Sequence, residues 1–191
     1  MFKNKHIAIY GGSFDPPHIA HVEIIKETLK KIPLDFLVVM VAYQNPLKSN
    51  TFFEDALRLK WMQKVCSNFD RVVVSDFEIQ NQICYSIDTI RYFEDSYMPK
   101  SITLILGEDN LLSLHRWKDY EILKQKVHFV FVKRRGFEYN VDKTSCLQIE
   151  LENITFPLSS SLIKEDNKMI SSKIIPQEIV KDVLKNMEGR K

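Results

Sequence analysis

Short, mostly apolar runs alternate along this chain with longer stretches whose apolar residues recur at helical spacing. The runs are His6–Tyr10, Phe36–Val41, Arg71–Ser75, Ile102–Leu106 and Val127–Val132. Most are apolar throughout, as strands buried on both faces are. The stretches between them carry helical stripes. Ile19–Lys31 sets Val22, Ile25 and Leu29 on one face, and Glu54–Cys66 sets Leu57, Trp61 and Val65 on one face. Ile87–Tyr97 and Leu111–Lys124 follow the same template less cleanly. This strand–helix rhythm predicts an α/β fold, a Rossmann-like doubly wound parallel sheet with helices on both faces. After Leu158 the pattern is helical twice, with Pro176 as the first residue of the last helix. No repeat, low-complexity tract or linker divides the chain. Residues 1–191 are therefore expected to form a single domain, with a small helical C-terminal region over about 158–191.

Composition narrows the functional classes. A length of 191 residues and a hydrophobic content of 45% suit one domain with a real core. The 27 basic and 25 acidic residues leave a net charge of +2, which is no footprint for wrapping nucleic acid or lying on an anionic membrane. Cys66, Cys84 and Cys146 are odd in number and far apart, so they read as reduced thiols rather than a disulfide framework. No apolar run reaches membrane-spanning length, and the N-terminal run is too short for a signal peptide. These features predict a cytoplasmic protein without a nucleic-acid or membrane partner.

The glycines point to a ligand. Gly11 and Gly12 follow the first run, Gly107 the fourth and Gly136 the fifth, and only Gly189 lies elsewhere. In open α/β sheets ligands bind beyond the carboxyl ends of the strands. Strand-to-helix turns use glycine anyway, but one residue makes a turn, and the pair Gly11-Gly12 exceeds that need. The chain contains neither G-x-G-x-x-G nor a Gly-Lys dipeptide, so it has no dinucleotide fingerprint and no Walker loop.

The segment after the first run offers a different phosphate device. Asp15 is a candidate cap, Pro16-Pro17 preset φ at a helix start, and the helix N-terminus would turn its N–H groups toward an anion. His18 and His21 stand three apart on the first turn and share a face. Two imidazoles there suit charge developing on a phosphoryl group in flight. As metal ligands they lack a third partner at fixed spacing, so no protein metal site is expected. His6, His115 and His128 read as structural.

Gly11-Gly12-Ser13-Phe14-Asp15-Pro16-Pro17-His18-Ile19-Ala20-His21 resembles the GG-[ST]-FDP-x-H-x-x-H signature of the nucleotidylyltransferase superfamily, and within it the bacterial nicotinate-nucleotide adenylyltransferases. The resemblance covers nearly the whole chain. Leu158-Ser159-Ser160-Ser161-Leu162-Ile163-Lys164 resembles the family's I-S-S-T-x-I-R, with Ser161 for Thr and Lys164 for Arg. A lysine there trades a bidentate fork for a point charge. Ile170-Ser171-Ser172 begins the same motif but puts Pro176 where the cation belongs, so the first candidate is preferred. Gln44-Asn45-Pro46-Leu47-Lys48 resembles a segment ending in Pro-x-Lys, and Tyr85-Ser86-Ile87-Asp88-Thr89 resembles S-Y-T-x-D-T. Gly107-Glu108-Asp109 resembles G-x-D, and Arg134-Arg135-Gly136-Phe137 resembles R-P-G-[YF] with arginine for proline.

The resemblance implies transfer of the adenylyl group of ATP to nicotinate mononucleotide, giving nicotinate adenine dinucleotide and pyrophosphate. It implies in-line attack without a covalent intermediate, and Mg²⁺ carried by the ATP. His18, His21, Lys48 and Lys164 would be catalytic. Gly11, Gly12, Ser13, Phe14, His21, Gly107, Asp109, Arg134, Ser159, Ser160 and Ser161 would bind ATP. Asn45, Lys48, Tyr85, Ser86 and Trp117 would bind the mononucleotide, with Trp117 stacked on the pyridine ring. The rival readings are a nucleotidylyltransferase acting on nicotinamide mononucleotide or phosphopantetheine, and a non-catalytic nucleotide-binding regulator. RNA binding is a further class, disfavoured by length and balanced charge.

Overall fold

The computed structural model describes residues 1–44, 46, 51–107, 110–133, 160, 163 and 173–188, and the backbone of 147–150. Six strands are described: β1 His6–Gly12, β2 Phe36–Val41, β3 Val72–Ser75, β4 Ser101–Gly107, β5 His128–Lys133 and β6 Leu147–Glu150. They form one sheet in the order β3-β2-β1-β4-β5-β6, and every neighbouring pair is parallel. The five expected strands are present, and β6 is an addition on the edge. Its four residues, Leu-Gln-Ile-Glu, are too few to stand out as a run.

The helices are α1 Ile19–Lys31, α2 Asp55–Cys66, α3 Phe77–Asn81, α4 Ser86–Tyr97, α5 Tyr120–Lys126 and α6 Val180–Glu188. α1 ends because Ile32 precedes Pro33 and is extended there, at φ −107° and ψ 125°. The single helix expected over Leu111–Lys124 is instead a short 3₁₀ turn, Leu114–Arg116, followed by α5. Asp119, left-handed at φ 52°, separates them; aspartate tolerates that region better than most residues. Pro176 does not begin the last helix. Its carbonyl accepts the N–H groups of Ile179 (3.0 Å) and Val180 (3.1 Å) in a turn, and α6 starts at Val180. Of the other tail helix, Ser160 and Ile163 are described, and both are helical.

The two-residue period of the strands sorts the core. Ala8 and Tyr10 of β1 and Leu37 and Val39 of β2 pack with Ile24 and Ile25 of α1 and Met62 of α2. Ile7 and Ile9, with Val38 and Met40, pack with Ile87, Ile90 and Phe93 of α4 and Leu123 of α5. Helices therefore cover both faces, as expected for strands with no wet side. A third apolar cluster joins Ala20 of α1 and Phe53 and Trp61 of the α2 region to Ile163, Ile175, Ile179 and Val183. It docks the C-terminal region beside the start of α1. Cys66 and Cys84 are free thiols; burial pushes Cys66 up to about 12, which suits core filler. No helix among the described residues is long and apolar enough to cross a membrane.

Candidate active site

The strand order reverses between β1 and β4, and their carboxyl ends flank the crevice where open α/β sheets take ligands. Gly11 and Gly12 are the last residues of β1, and Gly107 is the last of β4. The two adjacent glycines do different work. A Cβ on Gly11 would meet no atom within 4 Å, whereas one on Gly12 would lie 2.9 Å from Cζ of Phe14. Gly11 keeps space open at the strand end, and Gly12 lets the Phe14 ring pack beneath the chain. Phe14 is buried and takes a left-handed φ of 48°. Its ring sits edge-on to Tyr10 (5.5 Å) and to His21 (4.9 Å). The Phe14 side chain thus belongs to the core under the loop.

The histidines come together as their spacing requires. His18 is buried and occupies the N-cap position of α1 with extended backbone. Its N–H donates to Nδ1 of His21 across 3.1 Å, and the two rings stack with centroids 3.7 Å apart. An Nδ1 that accepts places the proton of a neutral imidazole on Nε2. The expected roles of Asp15 and of the helix N–H groups need correction. Asp15 does not cap α1. It is buried, and its carboxylate accepts the N–H of Phe52 (2.7 Å) and of Phe53 (2.8 Å), fastening the segment before α2. The Ile19 N–H is spent on the carbonyl of Ile174 (2.8 Å), and the His21 N–H on that of His18 (2.9 Å). This helix start therefore offers an anion less than its position suggests.

Two further ties shape the loop. Arg58 of α2 is fully buried; it donates to the carbonyls of Ser13 (2.6 Å) and Ala42 (2.9 Å) and to Asp55 (2.6 Å). It joins the segments that leave β1 and β2. Nothing in the sequence pattern singled it out, since an arginine in an amphipathic helix reads as surface. Ser160 donates to the carbonyl of Pro16 across 3.1 Å, which ties this residue of the preferred C-terminal motif to the first one.

A cavity of about 230 Å³ opens at these strand ends. It gathers Gly11, Gly12 and Ser13 with Gly107, Tyr85, Ser86 and Trp117, all residues the sequence nominated. Asn110 borders it too, its amide held by the carbonyl of Gly107 at 3.1 Å. Phe14, His18, His21 and Ser160 stand around the loop and are not in that lining. Trp117 is half-buried, its ring against the α4 core; its buried Nε1–H meets no acceptor among the described residues. Ser86 begins α4 and Tyr85 stands at its N-cap position, with Lys118 over the Tyr85 ring at 4.8 Å and paired with Asp88 at 2.9 Å. Glu78 of α3 lines the same cavity and was not foreseen. Burial pushes its carboxyl up to about 7, and the Thr89 hydroxyl, donating to Oε1 at 2.7 Å, pulls it back. Of the nominated residues, Asn45, Lys48, Asp109, Arg134, Ser159, Ser161 and Lys164 lie outside the described residues. The histidines read as structural are two strand residues, His6 and His128, and His115 of the 3₁₀ turn; His6 Nδ1 lies 2.7 Å from the Ser101 hydroxyl. No group of three His, Cys, Asp or Glu side chains among the described residues could hold a metal ion.

Comparison with known proteins adds kinship to this geometry. The Cytidylyltransferase-like family matches residues 9–166. A protein of Aliarcobacter butzleri named "Probable nicotinate-nucleotide adenylyltransferase" is 39% identical over 186 residues, 97% of this chain and 98% of its own. One of the same name from Helicobacter pylori is 39% identical over 161 residues, 84% of this chain and 91% of its own. The solved structure of the Plasmodium falciparum nicotinic acid mononucleotide adenylyltransferase, complexed with NaAD, superposes with a TM-score of 0.76 at 22% identity, covering 96% of this chain and 98% of that one.

Proposed function

The chain belongs to the Cytidylyltransferase-like family and to the nicotinate-nucleotide adenylyltransferases within it, and on that premise we propose how its residues carry the reaction. ATP and nicotinate mononucleotide give nicotinate adenine dinucleotide and pyrophosphate, a step of NAD biosynthesis. A phosphate oxygen of the mononucleotide attacks the α-phosphorus of ATP in line; the bond to the β-phosphate bridging oxygen breaks, and pyrophosphate leaves. No protein nucleophile takes part. Positioning and charge stabilisation supply the acceleration.

The observation that carries this reading is the cavity joining the glycine end of β1 to Tyr85, Ser86 and Trp117. Gly11 leaves room for phosphate against the backbone, and Trp117 offers a face to the pyridine ring. His21, with its proton directed to Nε2, is a preorganised donor to the phosphoryl oxygens, and His18 fixes its tautomer and its plane. Ser160 reaches the same loop from the C-terminal motif, and the motif's Ser159, Ser161 and Lys164 are assigned to ATP with it. Lys48 meets the phosphate, Asn45 the mononucleotide, Asp109 the ATP ribose, and Arg134 the ATP. Mg²⁺ enters as part of the substrate, bound to ATP oxygens, and lowers the charge on the polyphosphate. With free thiols at Cys66 and Cys84 and no membrane-spanning helix among the described residues, the chain suits the cytoplasm.

Pyrophosphate release with MgATP tests the reading, comparing nicotinate mononucleotide with nicotinamide mononucleotide. Strong preference for the acid is expected. Release only with the amide would move the acceptor, and silence with both would overturn the assignment.

A further inference from the structure

The cavity holds one acidic side chain among its described lining, Glu78, and no phosphate-binding or ring-stacking role accounts for it. Taking the cavity as the mononucleotide site, we propose that Glu78 is a specificity-determining residue. Its carboxyl faces the pyridine substituent and, while it carries its proton, favours a ring carboxylate over a ring amide.

The geometry rests on three elements. α3 presents Glu78 to the cavity, α4 contributes Ser86, and the chain after the 3₁₀ turn contributes Trp117. The Thr89 hydroxyl occupies Oε1 at 2.7 Å, so the proton belongs on Oε2. A protonated carboxyl donates a strong hydrogen bond to a carboxylate. Deprotonated, it repels that carboxylate and instead accepts from an amide NH₂. The exchange is set near neutrality because burial pushes Glu78 up to about 7 against the Thr89 hydrogen bond, and no cation among the described residues enters that balance. Charged and titratable groups of the neighbouring described elements lie around it. On α3, Asp76 is engaged by Gln80 at 2.6 Å. From α4 and the segment before it come Cys84, Tyr85, Asp88 and Tyr92, the last stacked on Phe77 of α3; from the 3₁₀ turn comes Arg116, and from the segment beyond it Lys118, paired with Asp88. β2, behind α3, is Phe-Leu-Val-Val-Met-Val and brings no charge.

The test is the ratio of kcat/KM for nicotinate over nicotinamide mononucleotide, measured from pH 6 to pH 8. The two substrates share their phosphate, and the histidines act on both, so those titrations cancel in the ratio. For wild type the ratio should fall about tenfold across the range, as one carboxyl near pH 7 loses its proton. Glu78→Gln keeps an acceptor for Thr89 and never ionises, so its ratio should not vary with pH. Thr89→Val removes the hydrogen bond that lowers the carboxyl, so its inflection should move to higher pH. A flat wild-type ratio, or a Glu78→Gln ratio that falls in parallel with wild type, overturns the proposal while leaving the reaction intact. No pyrophosphate from wild type with either mononucleotide overturns the reaction and the proposal together.

Discussion

The main-chain N–H of His18 donates to Nδ1 of His21, so a residue of the signature fixes the tautomer of its neighbour one helical turn away. The stacked His18 ring holds the plane, and the Phe14 ring bounds His21 from the side. A donor held in this way loses little freedom when charge develops on phosphorus. His21→Ala should lower kcat roughly 100-fold or more, as the loss of one preorganised oxyanion donor does elsewhere. Steady-state pyrophosphate release reads this directly, and near-wild-type turnover would remove His21 from the mechanism.

The glycine pair separates stability from activity. Gly12→Ala forces a Cβ to 2.9 Å from the Phe14 ring, which is boxed in by Tyr10 and His21, so the ring must move. Overpacking of this kind costs about 1–3 kcal/mol, measurable by urea denaturation. Gly11→Ala meets nothing and should leave stability within about 0.5 kcal/mol of wild type. Gly11 lines the cavity, so a methyl group there should raise the KM for ATP instead. Equal stability losses in the two variants would contradict this division.

The clustering of Gly11, Gly12, His18 and His21 at the end of β1 was legible because its geometry is local. Two adjacent glycines and two histidines three apart meet through backbone geometry that a short stretch of sequence encodes by itself. The alternation of apolar runs likewise made the first five strands and the helices α1, α2 and α4 legible, because burial on both faces leaves few polar positions. Arg58 was not legible, since two of its acceptors are main-chain carbonyls 45 and 16 residues away that carry no side-chain signature, and the third, Asp55 three residues away, reads as an ordinary surface pair on a helix. Glu78 was hidden for a related reason. Its character comes from burial against α4, a tertiary fact, while its sequence context is an ordinary polar helix. Asp15 misled because an aspartate before a helix usually caps it, and here the N–H groups of Phe52 and Phe53 compete successfully.

Arg58 is the clearest structural dependency outside the motifs. Its guanidinium is fully buried and held by Ser13, Ala42 and Asp55. Arg58→Met would strand two carbonyls and the Asp55 charge together, at a cost of about 2–4 kcal/mol. Arg58→Lys keeps the charge but cannot span three acceptors with one ammonium, so it should recover only part of the loss. Thermal melts of both variants check the order wild type, Lys, Met; a Lys variant no better than Met would show that only the fork geometry matters.

Trp117 divides between core and cavity, and two substitutions tell the shares apart. Trp117→Ala removes the aromatic face, so the KM for nicotinate mononucleotide should rise about tenfold while that for ATP holds. Trp117→Phe keeps a face and deletes an Nε1–H that is buried without an acceptor among the described residues. Removing an unsatisfied donor should leave stability equal or higher by about 1 kcal/mol. Parallel losses for both substrates in Trp117→Ala would reduce the residue to core packing.

Glu78 also ties stability to pH, independently of any substrate. Its folded-state carboxyl lies at about 7, above its ordinary 4.5, because burial disfavours the charged form. The folded protein therefore binds the proton more tightly than the unfolded chain does. The sign follows: the contribution is fully present below the unfolded value near 4.5 and is lost as pH rises through about 7. Between pH 6 and pH 8 wild type should lose about 1 kcal/mol from this group. Glu78→Gln has no proton to lose, so the difference between wild type and variant should shift by about that amount across the same interval. Urea unfolding of both proteins at the two pH values measures it. A wild type whose stability relative to Glu78→Gln does not change between them would place the Glu78 carboxyl at an ordinary value and in contact with water.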